Sequence, residues 1–369
     1  MKRILHVVSS LNINAGVMSV IMNYYRHIDR NILQFDFLYF EEVAESHLDE
    51  ITELGGRSFF IPYPTFKIAD QKKLHLFFSE HQGEYIAVHC HPIWGAEIVG
   101  IEAKKSGISH VIQHSHSTKF ADKKLNAIRN GILIKFVGLF ATDYMACSPE
   151  AAYLLGKHRV DRGRVHILPN AIELANYSFD VSLREIVRKE FNFSSDTIVV
   201  GNIGRMCIQK NQLYALDVFN EFHLKIPKSK MMIVGDGSLR RQLEKRVEEL
   251  SLTDSVIMTG KRRDIKAILS ALDVFLMPSL FEGAPVAAIE ALASGLPCII
   301  SDTITKSVDV KGVYYLPITE EPMKWADKVI TVLEERHKTN RSDQSELVSH
   351  GFDIKRESQR LEAFYLDLE

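Results

Sequence analysis

Short apolar runs alternate with longer amphipathic stretches along the first half of the chain. Continuous apolar runs are typical of parallel strands buried on both faces, and apolar residues three and four apart are typical of helices packed on a sheet. The runs predict strands at Ile4–Val8, Phe35–Phe40, Ile86–Cys90, His110–Gln113, Tyr144–Cys147 and Val165–Leu168. The amphipathic stretches predict helices at Val17–His27, Gln71–His81, Ala96–Lys105 and Leu125–Phe140.

A second series of alternating elements follows a polar linker at Glu173–Asp180. Its strands are predicted at Thr197–Val200, Met231–Val234, Val256–Met258 and Val274–Met277, with helices at Asn211–Phe222, Leu239–Leu250 and Ile265–Ser270. Strands that alternate with helices form a parallel, doubly wound sheet. We therefore predict an α/β protein of two Rossmann-like domains, 1–175 and 176–352, facing a central cleft in which ligands bind beyond the carboxyl ends of the strands.

The tail at 353–369 carries apolar residues at helical spacing, namely Leu361, Phe364, Tyr365 and Leu368. Such a helix either crosses back to join the first domain or lies on the surface of the second. The pattern alone leaves both arrangements open.

The strand at Val274–Met277 leads into a loop and a helix that suit an anionic ligand. Gly283 and Ala284 let a ligand approach the backbone, and Pro285 is expected as the first helical residue, where its missing N–H costs nothing. A helix start offers free N–H groups and the positive end of its dipole to a phosphate. The alternative is an ordinary strand–helix unit without a ligand.

Two glutamates flank this helix start. Glu290 lies five residues into the predicted helix. At about 1.5 Å per residue this is roughly 7 Å along the axis, close to the offset from a diphosphate to a ribose. Glu282 precedes the helix and would face the other end of such a ligand. In the alternative without a ligand, one glutamate caps the helix and the other is solvated.

Two cations, Arg205 and Lys210, occupy the turn after the first strand of the second series. Arginine binds phosphate through a two-pronged contact and lysine as a point charge. Together they would balance a diphosphate as it leaves a reacting centre. For this turn taken alone, ordinary surface cations on a solvated loop are the alternative.

Composition narrows the classes of function. A hydrophobic content of 46% and a charged content of 25% are typical of a globular protein, and a net charge of −2 argues against a general nucleic-acid binder. The four cysteines lie far apart, which favours buried thiols in a reducing compartment over zinc or disulfides. The apolar run near Met1 is too short for a signal peptide, and no stretch is as long as a membrane span, so a cytoplasmic protein is expected.

In combination, the motifs of the second half resemble the family 4 (GT4) glycosyltransferases. These are retaining enzymes of the GT-B fold, and the chain resembles those of bacterial capsule and exopolysaccharide synthesis. The resemblance rests on Gly204-Arg205, Lys210-Asn211, Gly235-Asp236-Gly237 and Glu282-Gly283, and on the seven residues between Glu282 and Glu290. This E-x7-E spacing, with Gly-x-Pro after the first glutamate, is the most specific element. The first half resembles the family more loosely.

The resemblance assigns roles in the second domain, which is expected to bind a nucleotide sugar. Arg205 and Lys210 would bind the donor diphosphate. Glu290 would hold the ribose hydroxyls, and Glu282 would lie beside the donor sugar as a catalytic residue. Further donor contacts are implied at Gly283, Ala284, Pro285 and Val286.

The first domain, expected to bind the acceptor, would contribute two residues to the donor site. His116 looks like the family histidine beside the donor sugar, although His114 two residues earlier leaves the register open. A structural role is the alternative for any one of these histidines. Relatives often carry paired glycines in the first turn, whereas this chain has Asn14-Ala15-Gly16, which leaves Gly16 as the implied donor contact.

No metal and no further cofactor are expected beside the nucleotide-sugar co-substrate. His-x-His occurs twice, at His89 to His91 and at His114 to His116, a pattern that also suits a metal. However, the chain contains no Asp-x-Asp, the metal–diphosphate motif of the other large glycosyltransferase fold. We expect side-chain cations and the helix dipole to take its place.

A basic amphipathic segment spans 119–140. It either rests on an anionic membrane or packs on the core with a solvated basic face. The lipid-linked acceptors of many family members favour peripheral membrane contact.

The resemblance implies transfer of a sugar, most often from a UDP-sugar, to an acceptor hydroxyl of a cell-envelope glycan or lipid-linked glycan. Two other functions stay open. A nucleotide-sugar epimerase of the same fold would convert the donor without an acceptor. A non-catalytic partner subunit would have no need of the complete set of cations and glutamates.

Overall fold

The structure is a computed structural model that describes residues 1–63, 68–116, 130–132, 134–156, 165–283, 285–335, 341 and 343–368. The chain divides into two compact units, Met1–Ala171 with Ile354–Glu369, and Ile172–Asp353. The first division therefore falls at 171/172 instead of the predicted 175/176, and the tail belongs to the first unit. The predicted roles of the two domains, acceptor binding and donor binding, stay predictions.

Seven parallel strands form the sheet of the first unit, in the order β3-β2-β1-β4-β5-β6-β7. The strands are β1 (Lys2–Ser10), β2 (Leu33–Glu41), β3 (Ser58–Phe60), β4 (Ala87–Cys90), β5 (His110–Ser115), β6 (Asp143–Ala146) and β7 (Val165–Ile167). The helices are α1 (Gly16–His27), α2 (Leu48–Glu53), α3 (Ile68–Glu80), α4 (Gly95–Lys105), α5 (Val137–Phe140), α6 (Pro149–Gly156) and the C-terminal helix (Ile354–Leu366).

The C-terminal helix packs on α1, which explains why the tail belongs to the first unit. Its apolar stripe is buried, with Leu361 3% exposed and Tyr365 fully buried. On the other side of the contact, α1 buries Ile21 and Tyr24. Covering these apolar side chains stabilises the helix more than its own propensity would.

Six parallel strands form the sheet of the second unit, in the order β10-β9-β8-β11-β12-β13. The strands are β8 (Ile198–Ile203), β9 (Ser229–Val234), β10 (Val256–Gly260), β11 (Val274–Met277), β12 (Cys298–Ser301) and β13 (Val313–Leu316). The helices are α7 (Val181–Glu190), α8 (Gln212–Lys225), α9 (Arg240–Glu249), α10 (Ile265–Ala271), α11 (Val286–Ala293), α12 (Pro322–Glu335) and α13 (Ser345–Ser349).

The predicted α/β class and the doubly wound parallel sheets are confirmed. In each unit the chain reverses its direction across the sheet once, between β1 and β4 and between β8 and β11. Loops that follow the two strands at such a switch point diverge and leave a crevice at the carboxyl edge, which is where ligands of open α/β sheets bind.

Several elements were not predicted, and α7 shows why. The ten residues of this helix include only four apolar side chains, and Asp180 caps the helix by accepting hydrogen bonds from the backbone N–H groups of Ser182 and Leu183. An aspartate at this position is a typical N-cap residue and could have predicted the helix start. Arg184 and Arg188 of the helix then bind Asp273 beside β11, so the helix is held by ion pairs as well as by packing.

Candidate active site

Two loops at the carboxyl edge of the second sheet meet because β8 and β11 are neighbours. The backbone N–H of Leu280 donates to the carbonyl of Gln209 at 2.8 Å. Lys210 Nζ lies 2.7 Å from Glu282 Oε1. The predicted diphosphate cation and the predicted sugar-side carboxylate therefore form an ion pair.

The Lys210–Glu282 pair is well shielded from solvent. The two side chains are 19% and 10% exposed. Gln209 supports the carboxylate, since its Nε2 donates to Glu282 Oε2 at 3.3 Å and to the carbonyl of Phe281 at 3.0 Å. A shielded pair of this kind depends on both partners, because removal of one leaves the other charge uncompensated.

The loop that carries Arg205 lies directly against the glycine motif after β9. A Cβ on Gly235 would stand 2.1 Å from the carbonyl oxygen of Gly204, and one on Gly237 would stand 2.3 Å from that of Met206. Gly235 also has a φ of +131°, which disfavours any side chain. These glycines therefore allow the loop that carries Arg205 to pack closely against the loop after β9. The Arg205 side chain is exposed, with no ion-pair partner among the residues described.

The start of the helix after β11 is the predicted anion site. Helix α11 begins at Val286, and Pro285 is the preceding capping residue, so the prediction of Pro285 as the first helical residue was wrong by one position. Among the residues described, no side chain caps this start, and its first turn carries no acidic residue. Its first N–H groups have no partner within the helix and carry the positive dipole end. Gly283 is buried beside it, and Ala284 lies outside the described residues.

Glu290 lies just over one turn into α11 and is half-buried. Burial raises the pKa of its carboxyl to about 7, although a hydrogen bond from Tyr177 and the charge of Lys210 each lower it. Tyr177 ends a short 3-10 turn in the segment predicted as a linker. Sequence analysis missed this residue, because nothing in the local pattern links a linker tyrosine to a helix more than a hundred residues later.

Histidines from three neighbouring strands form two hydrogen-bonded rows in the first unit. In one row His6 Nδ1 lies 2.9 Å from His91 Nε2, and His91 Nδ1 lies 2.8 Å from His116 Nε2. In the other, His89 Nε2 lies 3.1 Å from His114 Nδ1. The order β1-β4-β5 brings these side chains together, since His6 and His89 are register partners on adjacent strands.

The two rows stack on each other. The ring centroids of His89 and His91 are 4.4 Å apart, and those of His114 and His116 are 3.9 Å apart. Burial lowers the pKa of every histidine in the rows, that of His116 to about 4, so the rings are neutral near pH 7.

The distances between the histidine nitrogens alone would allow these side chains to bind a metal ion. One nitrogen each from His91, His114 and His116 lies within 4.8 Å of the other two. Metal ligands, however, direct their lone pairs at one point, whereas the stacked rings of His114 and His116 are inclined by only 27°. We therefore interpret the cluster as a hydrogen-bonded network. The expectation that no metal is needed stays a prediction.

The other site residue predicted in the first unit is Gly16, the first residue of α1. A Cβ added there would meet no atom of the described residues within 4 Å. The sequence-based roles of Gly16 and His116 in donor binding stay predictions.

The segment 119–140 is described only from residue 130 onward, without residue 133, and most of its basic residues lie outside the described part. There, Ile134 and Val137 are fully buried, while Ile132, Phe136 and Leu139 are 52%, 50% and 68% exposed. Membrane contact stays a prediction. Among the described residues, no helix combines the length and the apolar character of a membrane span.

Comparison with solved structures gives the class of this fold. HepE from Anabaena, solved in complex with UDP and glucose, superposes with a TM-score of 0.83 at 16% identity, over 100% of both chains. At this identity the likeness shows the fold alone, which is that of the GT-B glycosyltransferases.

Sequence relatives give the family. Residues 184–346 match the family described as glycosyl transferases group 1. EpsF of Bacillus subtilis, named provisionally as a glycosyltransferase, is 31% identical over 338 residues, which cover 89% of this chain and 87% of EpsF. The UDP-Gal:alpha-D-GlcNAc-diphosphoundecaprenol alpha-1,3-galactosyltransferase of Escherichia coli is 27% identical, with 85% and 84% covered. The chain belongs to the group 1 glycosyltransferases and is an enzyme of the transferase class.

Proposed function

We propose that this glycosyltransferase moves a sugar from a UDP-sugar to an acceptor hydroxyl with retention of the anomeric configuration. The observation that carries the proposal is the set of groups at the carboxyl edge of the second sheet. Arg205, Lys210 and the uncapped start of α11 offer positive charge and N–H donors for a diphosphate. Glu290 offers a carboxylate for a ribose diol just beyond that start.

The choice of UDP draws on the relatives. The E. coli relative is named for a UDP-galactose donor, and HepE was solved with UDP. Neither observation identifies the sugar that this chain transfers.

The reaction we propose proceeds on one face of the sugar. The bond from the anomeric carbon to the diphosphate oxygen breaks, and Arg205, Lys210 and the start of α11 stabilise the negative charge that develops on the leaving group. The same phosphate takes the proton of the acceptor hydroxyl, whose oxygen bonds to the anomeric carbon from the side that the phosphate leaves. No carboxylate is assigned as a covalent nucleophile.

Glu282 and His116 have supporting roles in this proposal. Glu282 would orient the sugar hydroxyls and stabilise positive charge on the sugar ring. His116 would contact the sugar as a neutral hydrogen-bonding group, a role that rests on the family resemblance. Donor contacts at Gly16, Gly283, Ala284, Pro285 and Val286 rest on the same resemblance.

The donor site would work without a divalent metal. Two side-chain cations and a helix dipole supply the charge that a metal supplies to a diphosphate elsewhere. Chelator treatment should therefore leave the transfer rate unchanged within about twofold, a change worth less than 0.5 kcal/mol of barrier.

The acceptor we propose is a cell-envelope, capsular or exopolysaccharide glycan, free or lipid-linked. The E. coli relative, whose name specifies a sugar on diphosphoundecaprenol, supports a lipid-linked acceptor. A cytoplasmic enzyme that rests on the inner face of the plasma membrane, with contact through 119–140, would reach such a substrate.

Thermal unfolding with a panel of nucleotides and nucleotide sugars tests the donor assignment. A ligand that binds only the folded state raises the melting temperature, and UDP and one UDP-sugar should do so while GDP and ADP should not. Transfer is then followed with the stabilising UDP-sugar, and NMR of the anomeric proton in the product reports retention or inversion. An incubation without acceptor separates an epimerase, which would convert the donor alone. Stabilisation by no uridine nucleotide would contradict the proposal.

A further inference from the structure

Tyr365 of the C-terminal helix reaches the histidine rows. Its hydroxyl oxygen lies 2.5 Å from His89 Nδ1, across 276 residues of sequence. Burial raises the pKa of this phenol well above its usual value, so the hydroxyl keeps its hydrogen. Among the residues described, His89 Nδ1 is the hydrogen-bond partner found for that hydroxyl. A buried hydroxyl donates its hydrogen wherever an acceptor is in reach, so Tyr365 is the donor of this bond.

This donor sets the proton positions along the row. His89 is neutral, so a ring that accepts at Nδ1 carries its hydrogen on Nε2. That Nε2–H donates to His114 Nδ1 at 3.1 Å. His114, also neutral, must then carry its own hydrogen on Nε2. The planes of the two rings are inclined by 20°, and their centroids are 5.1 Å apart.

The row ends at a donor that has no partner. His114 is 2% exposed, and its Nε2 has no hydrogen-bond partner among the described residues. Buried N–H groups without an acceptor are rare in folded proteins. The neighbouring His116, stacked on His114 at 3.9 Å, has a similarly unpartnered Nδ1. An oxygen acceptor therefore belongs at this end of the rows.

We propose that Tyr365 is a positioning residue: it holds His89 and His114 in the Nε2–H form, so that His114 presents an N–H group to a hydroxyl oxygen of the sugar substrate. The substrate assignment rests on the proposed function, whereas the proton positions do not. The row His6–His91–His116 lacks such an anchor among the described residues, so its tautomer is not set in this way.

Nitrogen NMR of the full-length protein with 15N-labelled histidine rings tests the proton positions directly. His89 and His114 should both show the Nε2–H pattern in the wild type. Tyr365→Phe removes one oxygen atom and should give a mixture of tautomers at both rings. Tyr24→Phe is the matched control, because it removes the hydroxyl of another buried tyrosine, on the facing helix, which donates to the carbonyl of Pro169 at 2.7 Å. This control should leave both patterns unchanged.

Kinetics and ligand addition test the substrate contact. Tyr365→Phe should lower kcat/KM for sugar transfer about tenfold, the equivalent of one hydrogen bond, while Tyr24→Phe stays within about twofold. The stabilising UDP-sugar should shift the His114 Nε2 resonance of the wild type. Thermal unfolding of both variants controls for a loss of folded protein.

Three outcomes would overturn the inference. The first is an Nδ1–H form of His114 in the wild type, whatever the transfer assays show. The second is a Tyr365→Phe variant with unchanged tautomers or unchanged kcat/KM. The third is a His114 Nε2 resonance that does not shift when the UDP-sugar is added. The acceptor of its N–H group would then be an internal water molecule, not the sugar. A protein that transfers no sugar but shows the expected tautomers would contradict the proposed function and leave Tyr365 as the anchor of the row.

Discussion

Lys210 and Glu282 lie 2.7 Å apart as an ion pair, although 72 residues separate them in the sequence. The pair joins the loop that would bind the donor diphosphate to the loop that would border the donor sugar. A diphosphate bound by Lys210 must compete with the carboxylate for the same ammonium group. Donor binding and the orientation of Glu282 are therefore coupled, and charge changes at the two residues should have different effects.

Lys210→Ala should weaken UDP binding about 30- to 150-fold, because it removes a charge-assisted contact worth about 2–3 kcal/mol. It should also lower the free energy of unfolding, since Glu282 is left buried without its counter-ion. Calorimetric titration with UDP measures the first effect. Lys228→Ala is the matched control, because Lys228 pairs with Asp196 on an exposed surface. Equal UDP affinities of the two variants would contradict the assignment.

Glu282→Gln should separate binding from transfer. Without the carboxylate, Lys210 is free for the diphosphate, so UDP affinity should stay equal or rise a few-fold. Transfer should fall about 100-fold, the typical loss when one stabilising group is removed from a reacting centre. Titration and initial rates on the same preparation measure both effects. A parallel fall in UDP affinity and rate would mean that Glu282 acts only on binding.

Donor affinity should fall as the pH drops through about 7, the pKa to which burial raises the Glu290 carboxyl. A protonated carboxyl accepts fewer hydrogen bonds from ribose hydroxyls, so the carboxylate form present at higher pH binds better. Glu290→Gln should bind about tenfold more weakly at pH 8 and lose this pH dependence. The exposed Glu185→Gln serves as control.

The Glu290 measurement should use a UDP-sugar, since the terminal phosphate of UDP itself titrates at about pH 6. A wild-type affinity that stays constant between pH 6 and pH 8 would exclude the carboxylate as a ribose ligand.

Gly235→Ala should displace the Arg205 loop. The added Cβ would meet the Gly204 carbonyl oxygen at 2.1 Å, at a φ of +131°. We expect a loss of about 2–4 kcal/mol in the free energy of unfolding together with weaker UDP binding. Gly83→Ala is a control for backbone strain alone, because its φ is +77° and its Cβ would meet nothing within 4 Å. Denaturant unfolding and UDP titration of both variants test this prediction, which equal losses of stability and of UDP affinity in the two variants would contradict.

Glu97→Gln should stabilise the protein at high pH. Both carboxylate oxygens of Glu97 lack partners among the described residues, and burial raises the carboxyl pKa to about 7. The folded state thus holds this proton up to a higher pH than the unfolded state, so the group's contribution is full below the unfolded pKa and is lost as the pH rises through about 7. The variant should be more stable by about 3 kcal/mol at pH 8 and nearly unchanged at pH 4. Unfolding curves at both pH values test this.

The sequence by itself determined most of the strands and helices and indicated the residues that we propose for the donor site. The strand at Val274–Met277 has the bounds that its apolar run predicted, because a strand buried on both faces requires a continuous run of apolar residues. Arg205, Lys210, Glu282 and Glu290 could be named as candidates because each stands at a short, fixed spacing from a strand end or a helix start, and their roles in donor binding stay predictions. Short elements such as β3 escaped, because three residues at a sheet edge carry too little pattern.

Only the tertiary structure decided which of these groups touch. The order of strands puts β8 beside β11 and thereby joins Lys210 to Glu282. It likewise lines up histidines from three strands, and the packing of the C-terminal helix brings Tyr365 to His89. Tyr177 reaches Glu290 from a segment that the sequence indicated only as a linker. The periodicity of apolar residues shows which side of a helix or strand is buried. Which distant residues come into contact depends on strand order and helix packing, which no local pattern encodes.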